Sequence, residues 1–459
     1  MKRLVLASSL AVLVLSGCMS MAPRYERPAP PVAAQFPFTV DTAGPAAAER
    51  DWREFFADAR LQRLVDLALQ NNRDLRTAVL NIEAARAQLG LRRADQWPTV
   101  NAAVAGTRQP GQNGSITSTY TAGLAVSSYE LDLFGRVRSL SDAALSQLAA
   151  SEEARKAAQI SLVASVANLH FALIGDDELL GLTQRTLSTR EESLRLTQLK
   201  FDNGAASELD LSLAQSLVES AKVALAQQQR QRALDQNALE LLVGQPLPAD
   251  LPPAAAWNAQ ALPDVPAGLP STVLLRRPDV KQAEDQLIAA NANIGAARAA
   301  FWPRITLTAS AGTASSELSK LFHGTAWSFA PQLVMPLFDA GRNRANLQAA
   351  EVARDIAVAQ YEKAIQSAFR DVADALAGRA TLGEQLRATQ AQAAAETRRY
   401  ELSDLRFRNG AASSLELLDA QRSLFTAQQA AVQAQIASLQ NRVAVYRALG
   451  GGWTEPAAR

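Results

Sequence analysis

The 459-residue chain is written twice, and that repetition limits what it can fold into more than any other feature. The stretch LKFDNGAAS, from Leu199 to Ser207, returns as LRFRNGAAS, from Leu405 to Ser413, with Phe201 and Phe407 lying 206 positions apart. Ala214-Gln215 answers Ala420-Gln421, and Val243-Gly244 answers Leu449-Gly450, at the same spacing. Upstream, Trp97-Pro98 answers Trp302-Pro303 at 205 and Leu133-Phe134 answers Leu337-Phe338 at 204, so only small insertions separate the copies. Self-similarity of this kind means one supersecondary unit used twice, not a single core of unrelated parts. Residues 51–243 read as the first repeat, 271–450 as the second, the proline-rich 244–270 as the joint between them and 451–459 as a tail.

Each repeat runs helix, β-hairpin, long helix, turn, long helix. Residues 58–95 are periodic as a helix that must end before Trp97-Pro98, because the residue preceding a proline is pushed out of the helical region; 278–301 is the counterpart. Past Pro303, Ile305, Leu307, Ala309 and Ala311 alternate with Thr306, Thr308 and Ser310, the period of two that lines one face of a strand. Trp327, Phe329, Leu333, Met335 and Leu337 form a second alternating set. Weaker alternation runs through 100–107 and 120–131, around a Gly/Ser/Asn-rich turn at 109–119. Strands of about ten residues suit a tilted membrane crossing. Four are too few for a barrel, since a sheet in lipid leaves no edge unbonded and the smallest membrane barrels use about eight strands. Several copies must then share one barrel, unless the hairpins belong to an ordinary soluble sheet.

From 136 to 199 the pattern stays helical for about 64 residues, on the order of 95 Å at ~1.5 Å per residue, longer than a globular core uses. Ile160, Val163, Ala167, Phe171 and Ile174 step by three and four as an apolar stripe does, with Gly175 a candidate interruption. In the last helix Leu418, Phe425, Val432, Ile436, Leu439, Val443 and Tyr446 fit a period of 3.5, a coiled-coil seam with polar Arg422 and Gln429 in register. The Asn203-Gly204 and Asn409-Gly410 pairs end one long helix by a left-handed residue, and Ser207 and Ser413 cap the next. Each half thus holds a long antiparallel helical hairpin.

The N-terminus explains the single cysteine. Lys2 and Arg3 precede an apolar run, Leu4 to Leu15, and then Ser16-Gly17-Cys18, which reads as a secretory signal over 1–17 and is too short to span a membrane as a helix. Leu15-Ser16-Gly17-Cys18 resembles the bacterial lipoprotein signal, whose cysteine takes a lipid; the absence of Asp at position 19 fits sorting to the outer membrane. An ordinary signal with an incidental cysteine is the alternative. Residues 18–50 carry six prolines from Pro23 to Pro45 and read as an extended, poorly packed tether.

Chemistry is hard to find. A net charge of +1 lacks the basic surplus that nucleic-acid binding needs. His170 and His323 are the only histidines, no metal-ligand spacing or phosphate-binding glycine loop appears, and no cofactor is expected. The carboxylate pairs Glu152-Glu153, Asp176-Asp177 and Glu191-Glu192 read as solvated helix faces. The chain does not read as an enzyme.

The repeated Trp-Pro, Leu133-Phe-Gly-Arg136 with Leu337-Phe-Asp-Ala-Gly-Arg342, the paired Asn-Gly-Ala-Ala-Ser turns, Leu417-Leu-Asp-Ala-Gln-Arg422 and the ending Ala448-Leu-Gly-Gly-Gly-Trp453 resemble the TolC-like outer-membrane efflux proteins, in their lipoprotein branch serving resistance-nodulation-division pumps. The resemblance implies a mainly α fold with a small β part: a coiled-coil α-barrel plus a transmembrane β-barrel completed by trimerisation. It further implies a lipid-anchored homotrimer in the outer membrane, extending into the periplasm, fed by an inner-membrane pump through a periplasmic adaptor. The adaptor would meet the tips at Phe201, Asn203, Gly204 and Ser207, and at Asn409, Gly410 and Ser413. The gate would lie at Leu415, Glu416, Asp419 and Arg422, with Phe407 and Arg408 on the preceding helix. Leu415, Asp419 and Arg422 share one helix face, so a threefold axis would make Asp419 a ring of carboxylates whose repulsion raises their apparent pKa, with Leu415 an apolar constriction beside it. Arg408 would partner a carboxylate on a neighbouring helix, and Asp210 is a weaker candidate for the same latch. Two other readings remain open at this point: a coiled-coil spacer without a lumen, and a duct for secreted proteins.

Overall fold

The computed structural model describes residues 20–38, 50–110, 114–255, 257, 262–263 and 271–453. The signal segment, Cys18 and positions 454–459 of the tail lie outside the described residues. The elements are α1 (Trp52–Phe55), α2 (Ala59–Asn71), α3 (Arg73–Ala94), β1 (Val100–Pro110), β2 (Ile116–Leu131), α4 (Arg136–Asp202), α5 (Glu208–Val243), α6 (Pro278–Ala299), β3 (Arg304–Ser315), β4 (Ala326–Val334), α7 (Arg342–Arg408) and α8 (Ser414–Ala448). The described residues fold as two compact units, one from 20–30, 79–110, 114–154 and 279–364, the other from 31–38, 50–78, 155–255, 257, 262–263, 271–278 and 365–453.

The first unit contains one antiparallel sheet in the order β1-β2-β3-β4. Its register gathers apolar side chains on one face. Ala102 lies opposite Leu124, Leu124 opposite Ala311, and Ala311 opposite Trp327; Val126, Ala309 and Phe329 make the next row. The other face is polar, with the Ser310 and Ser328 hydroxyls 2.7 Å apart. Neither face is covered, since β1 is exposed throughout and β4 nearly so, and both edge strands present unpaired backbone. The second repeat's hairpin joins the first at β2–β3, where Gly123 faces Gly312 and a Cβ on either would strike the opposing backbone.

Of the expected tether, the described part near Ala22 to Arg27 is docked rather than loose. Along α6, Glu284, Asn291 and Gly295 fall on one stripe, seven and four residues apart, and the strap lies against it. Glu284 accepts from Arg27 Nε at 2.7 Å, Arg27 Nη2 at 3.0 Å and the Tyr25 hydroxyl at 3.0 Å, and Asn291 donates to the Pro23 carbonyl at 2.8 Å. Gly295 lets the backbone come close, since a Cβ there would stand 2.7 Å from the Ala22 nitrogen.

In the second unit α4 and α7 continue as 67-residue helices, and α5 and α8 return along them. The predicted stripe Ile160, Val163, Ala167, Phe171 and Ile174 is buried throughout, as are Leu418, Val432, Leu439, Val443 and Tyr446 of the predicted seam. Burying one side chain of Phe or Leu size contributes about 1.5–3 kcal/mol, so this long seam outweighs weak local propensity. Gly175 does not interrupt α4; it admits the Ile436 side chain, which a Cβ would displace. The helix expected over 58–95 breaks at Asn72, whose backbone is extended. Its Oδ1 accepts from the Leu75 amide at 2.9 Å and its Nδ2 donates to the Leu242 carbonyl at 2.9 Å, so this asparagine restarts a helix instead of continuing one.

Candidate gate at the hairpin tips

The two tips are built by the same local chemistry. Gly204 and Gly410 take φ of 71° and 74°, which glycine tolerates without steric cost. The amides of Ala205 and Ala411 then reach back to the Lys200 and Arg406 carbonyls at 2.7 and 2.8 Å, closing each helix end with the six-to-one bond of a Schellman turn. Asn203 and Asn409 each donate to the carbonyl four residues back at 2.7 Å. Ser207 caps α5 in a full capping box with Asp210, and Ser413 caps α8 through the Glu416 amide at 3.2 Å.

Side chains near the tips tie the hairpins to each other. The Ser414 hydroxyl donates to Asp210 Oδ1, 204 residues earlier in the chain. Hydrogen bonds from Ser207 and Ser414 hold the Asp210 carboxyl below the usual carboxylate range. Lys200 Nζ stands 3.9 Å over the Phe407 ring, and deeper in the bundle Gln421 donates to Ser193 Oγ at 2.9 Å. A cavity of about 70 Å³ between the hairpins is lined by Ser193, Tyr400, Phe407, Arg408 and Ser414. Asp210, rather than Arg408, is the expected latch residue that bonds across the two hairpins.

Arg408 is not the cross-helix partner expected of it: its Nε meets Asp404 at 2.8 Å on its own helix, four residues back. Near the tip, Arg399, bound to Asp419, and Arg406, 3.6 Å from Glu416, reach from α7 to α8. Arg422 adds a second bond to Asp419 at 2.7 Å. Arg399 and then Arg422 hold the Asp419 carboxyl below its ordinary value, so within one chain the direction is opposite to that expected from ring repulsion, which only assembly would introduce. Leu415, 60% exposed, and Arg422 stand exposed on the face they share with half-exposed Asp419. Arg399 was legible after all: in an antiparallel hairpin about Asn409, positions 399 and 419 lie ten residues to either side. Arg190 carried no such signal. It is 3% exposed, donates to the Leu217 carbonyl at 2.9 Å and covers the Phe425 ring, a buried cation within the hairpin core.

Catalytic groups do not converge at the tips. Buried His170 pairs with Asp58 at 3.1 Å, where Asp58 also caps α2, and His323 lies in an exposed loop. Among the described residues no cluster of His, Cys, Asp or Glu is placed to hold a metal ion.

A four-stranded sheet with an uncovered apolar face, joined in one chain to paired coiled-coil hairpins, defines the class of outer-membrane channel subunits. Known proteins agree. The chain is 48% identical to an antibiotic efflux pump outer membrane protein, ArpC of Pseudomonas putida, and equally to a toluene efflux pump outer membrane protein, TtgC of the same species, each alignment covering 99% of this chain and 97% of the relative. Among solved structures, the open-state MtrE outer membrane channel of Neisseria gonorrhoeae superposes with a TM-score of 0.88 at 42% identity, covering 95% of this chain and 98% of that one. The outer membrane efflux protein profile matches twice, at residues 64–245 and 269–451. The chain belongs to the outer membrane efflux protein family, whose members are transport channels.

Proposed function

We propose that three copies of this chain form one exit duct, which passes small toxic molecules, organic solvents and antibiotics among them, from an inner-membrane resistance-nodulation-division pump and its periplasmic adaptor to the outside. The observation that carries the reading is the sheet with an apolar face and two open edges, because backbone left unbonded in lipid costs several kcal/mol per group and only closure with further copies removes it. Twelve strands would close the barrel, and twelve long helices would wall the duct. The names of the solvent and antibiotic pump relatives support the substrate class.

In this reading 1–17 is removed, Cys18 carries lipid in the outer membrane, the docked strap ties that anchor to α6, and the repeats 51–243 and 271–450 each supply half of every wall segment. The paired tips meet the adaptor. Leu415 narrows the duct, Asp419 selects cations beside it, and Asp210 with Ser414 holds it shut. The work is passage and gating, without bond chemistry. Native mass spectrometry in detergent should give a trimer that shows brief ion-conducting openings in planar bilayers; a monomer, or a trimer that never passes ions, overturns the duct. Intact mass should exceed that of the unmodified mature chain by acyl groups, and Cys18→Ala with a cleavable signal should remove the excess.

A further inference from the structure

Where the sheet meets its helices, the first unit contains one finished aromatic joint and the two halves of another. In the finished joint Phe134, from the first repeat's Leu-Phe motif, stacks on Trp302, from the second repeat's Trp-Pro motif, with ring centroids 5.2 Å apart and planes 21° from parallel. A cavity of about 520 Å³ lies beside the pair. Glu130 clamps the same place across the repeats, accepting from Arg136 at 2.8 Å and meeting Arg304 of the other repeat at 2.6 Å.

The repeat counterparts of these rings stand in the open. Trp97 is 75% exposed, and Leu337 and Phe338 are 91% and 90% exposed, although their equivalents in the other repeat are partly covered. Large apolar side chains exposed together mark an interaction surface. What covers them follows from the duplication. The step that carries the first repeat's Leu-Phe onto the second repeat's Trp, applied once more, carries the second repeat's Leu-Phe onto a first repeat's Trp. Within one chain that step has no destination, whereas in a closed ring the next copy supplies it. The strands run the same way, with β2 paired to β3 across the repeats while β4 and β1 keep open edges.

We propose that Phe338 of each copy stacks on Trp97 of the next, so that the ring of copies is closed by the same aromatic joint that joins the repeats inside a chain. The proposal rests on the trimer reading above and adds which side chains make the contact. It also differs from the internal joint in one respect. The positions matching Glu130 and Arg304 are Val334 and Thr99, so the Glu-centred clamp of the internal joint has no counterpart and the interchain contact rests on the two rings. High salt therefore leaves it intact.

The test uses the full chain carrying both Trp97→Cys and Phe338→Cys, treated with a short bis-maleimide. The double variant should run as a covalent trimer on a denaturing gel, each single variant as a monomer, and a coexpressed mixture of the two single variants as a covalent dimer. Trp97→Ala and Phe338→Ala should each lower the temperature at which the trimer dissociates, and the pair together should lower it little beyond the larger single effect, in low salt and in about 1 M salt alike. A trimer by native mass spectrometry that gives only monomers or internal links on the gel, or fully additive alanine effects, overturns the joint while leaving the trimer standing. A wild-type chain that is monomeric overturns both.

Discussion

Ser414→Ala removes a single hydroxyl and with it the bond by which the second hairpin holds Asp210 of the first. The variant is clean because Ser413, not Ser414, caps α8, so the helix start is untouched. A hydrogen bond to a charged acceptor contributes about 1.5–3 kcal/mol where water is excluded. Asp210 is partly exposed, and solvent screening there brings the figure to ~0.5–1 kcal/mol per chain. If the three second hairpins of a trimer swing together, the threefold sum is about 1.5–3 kcal/mol, and at ~1.4 kcal/mol per decade the ratio of open to closed channels rises roughly ten- to hundredfold. Single-channel recording in planar bilayers reads that ratio directly. Asp210→Asn should raise it as well, though it also weakens the capping box with Ser207, and the double variant should open no further than the stronger single one, because both changes remove the same bond. A Ser414→Ala trimer that opens as rarely as the wild type would refute the latch.

Asp419→Asn should lower cation preference, measured as a shift in reversal potential under a salt gradient, and weaken block by divalent cations; unchanged selectivity would place the charge outside the duct. Gly204→Val and Gly410→Val meet open space but force a β-branched residue to positive φ, at about 1–2 kcal/mol each, so drug resistance should fall while the protein still reaches the outer membrane. Absence from the membrane would show that the turns serve folding alone. Burial, with the Asp235 carboxyl beside it, pushes Asp176 up to about 7, from ~4 in an unfolded chain. The folded hairpin then keeps a proton that the unfolded chain gives up, so stability is greatest at low pH and declines as pH rises through ~7. Asp176→Asn should flatten that slope in melting curves taken from pH 5 to 8, and an unchanged slope would assign the pH dependence to other groups.

Where the structure departs from the sequence pattern, each departure has its own physical cause. Asn72 sits in a periodic stretch that looks continuous, because periodicity records which side faces the core and is blind to a cap that restarts the helix in the same phase. The strap looked like a loose tether because its prolines supply no amide donors. Its attachment comes from Tyr25 and Arg27, and their partner Glu284 lies more than 250 residues away. Asp176 read as a solvated helix charge, yet it is 6% exposed. Arg408 meets Asp404, one helical turn away, in place of a carboxylate on another helix.

What the sequence by itself determined is whatever repeats within the reach of a few residues or along a single face: the duplication, the alternation of β3 and β4, the apolar stripe of α4, the Asn-Gly turns and the serines that cap after them. Each is set by backbone geometry and hydrophobic period, which a chain carries locally. Only the tertiary structure decided which charged groups meet, because a salt bridge or a shared proton depends on the rotation and register of helices that are neighbours in space alone. That is why Arg190 lies buried over the Phe425 ring, why Ser414 finds Asp210 across 204 residues, and why Trp97 and Phe338 are left exposed while Phe134 and Trp302 are joined.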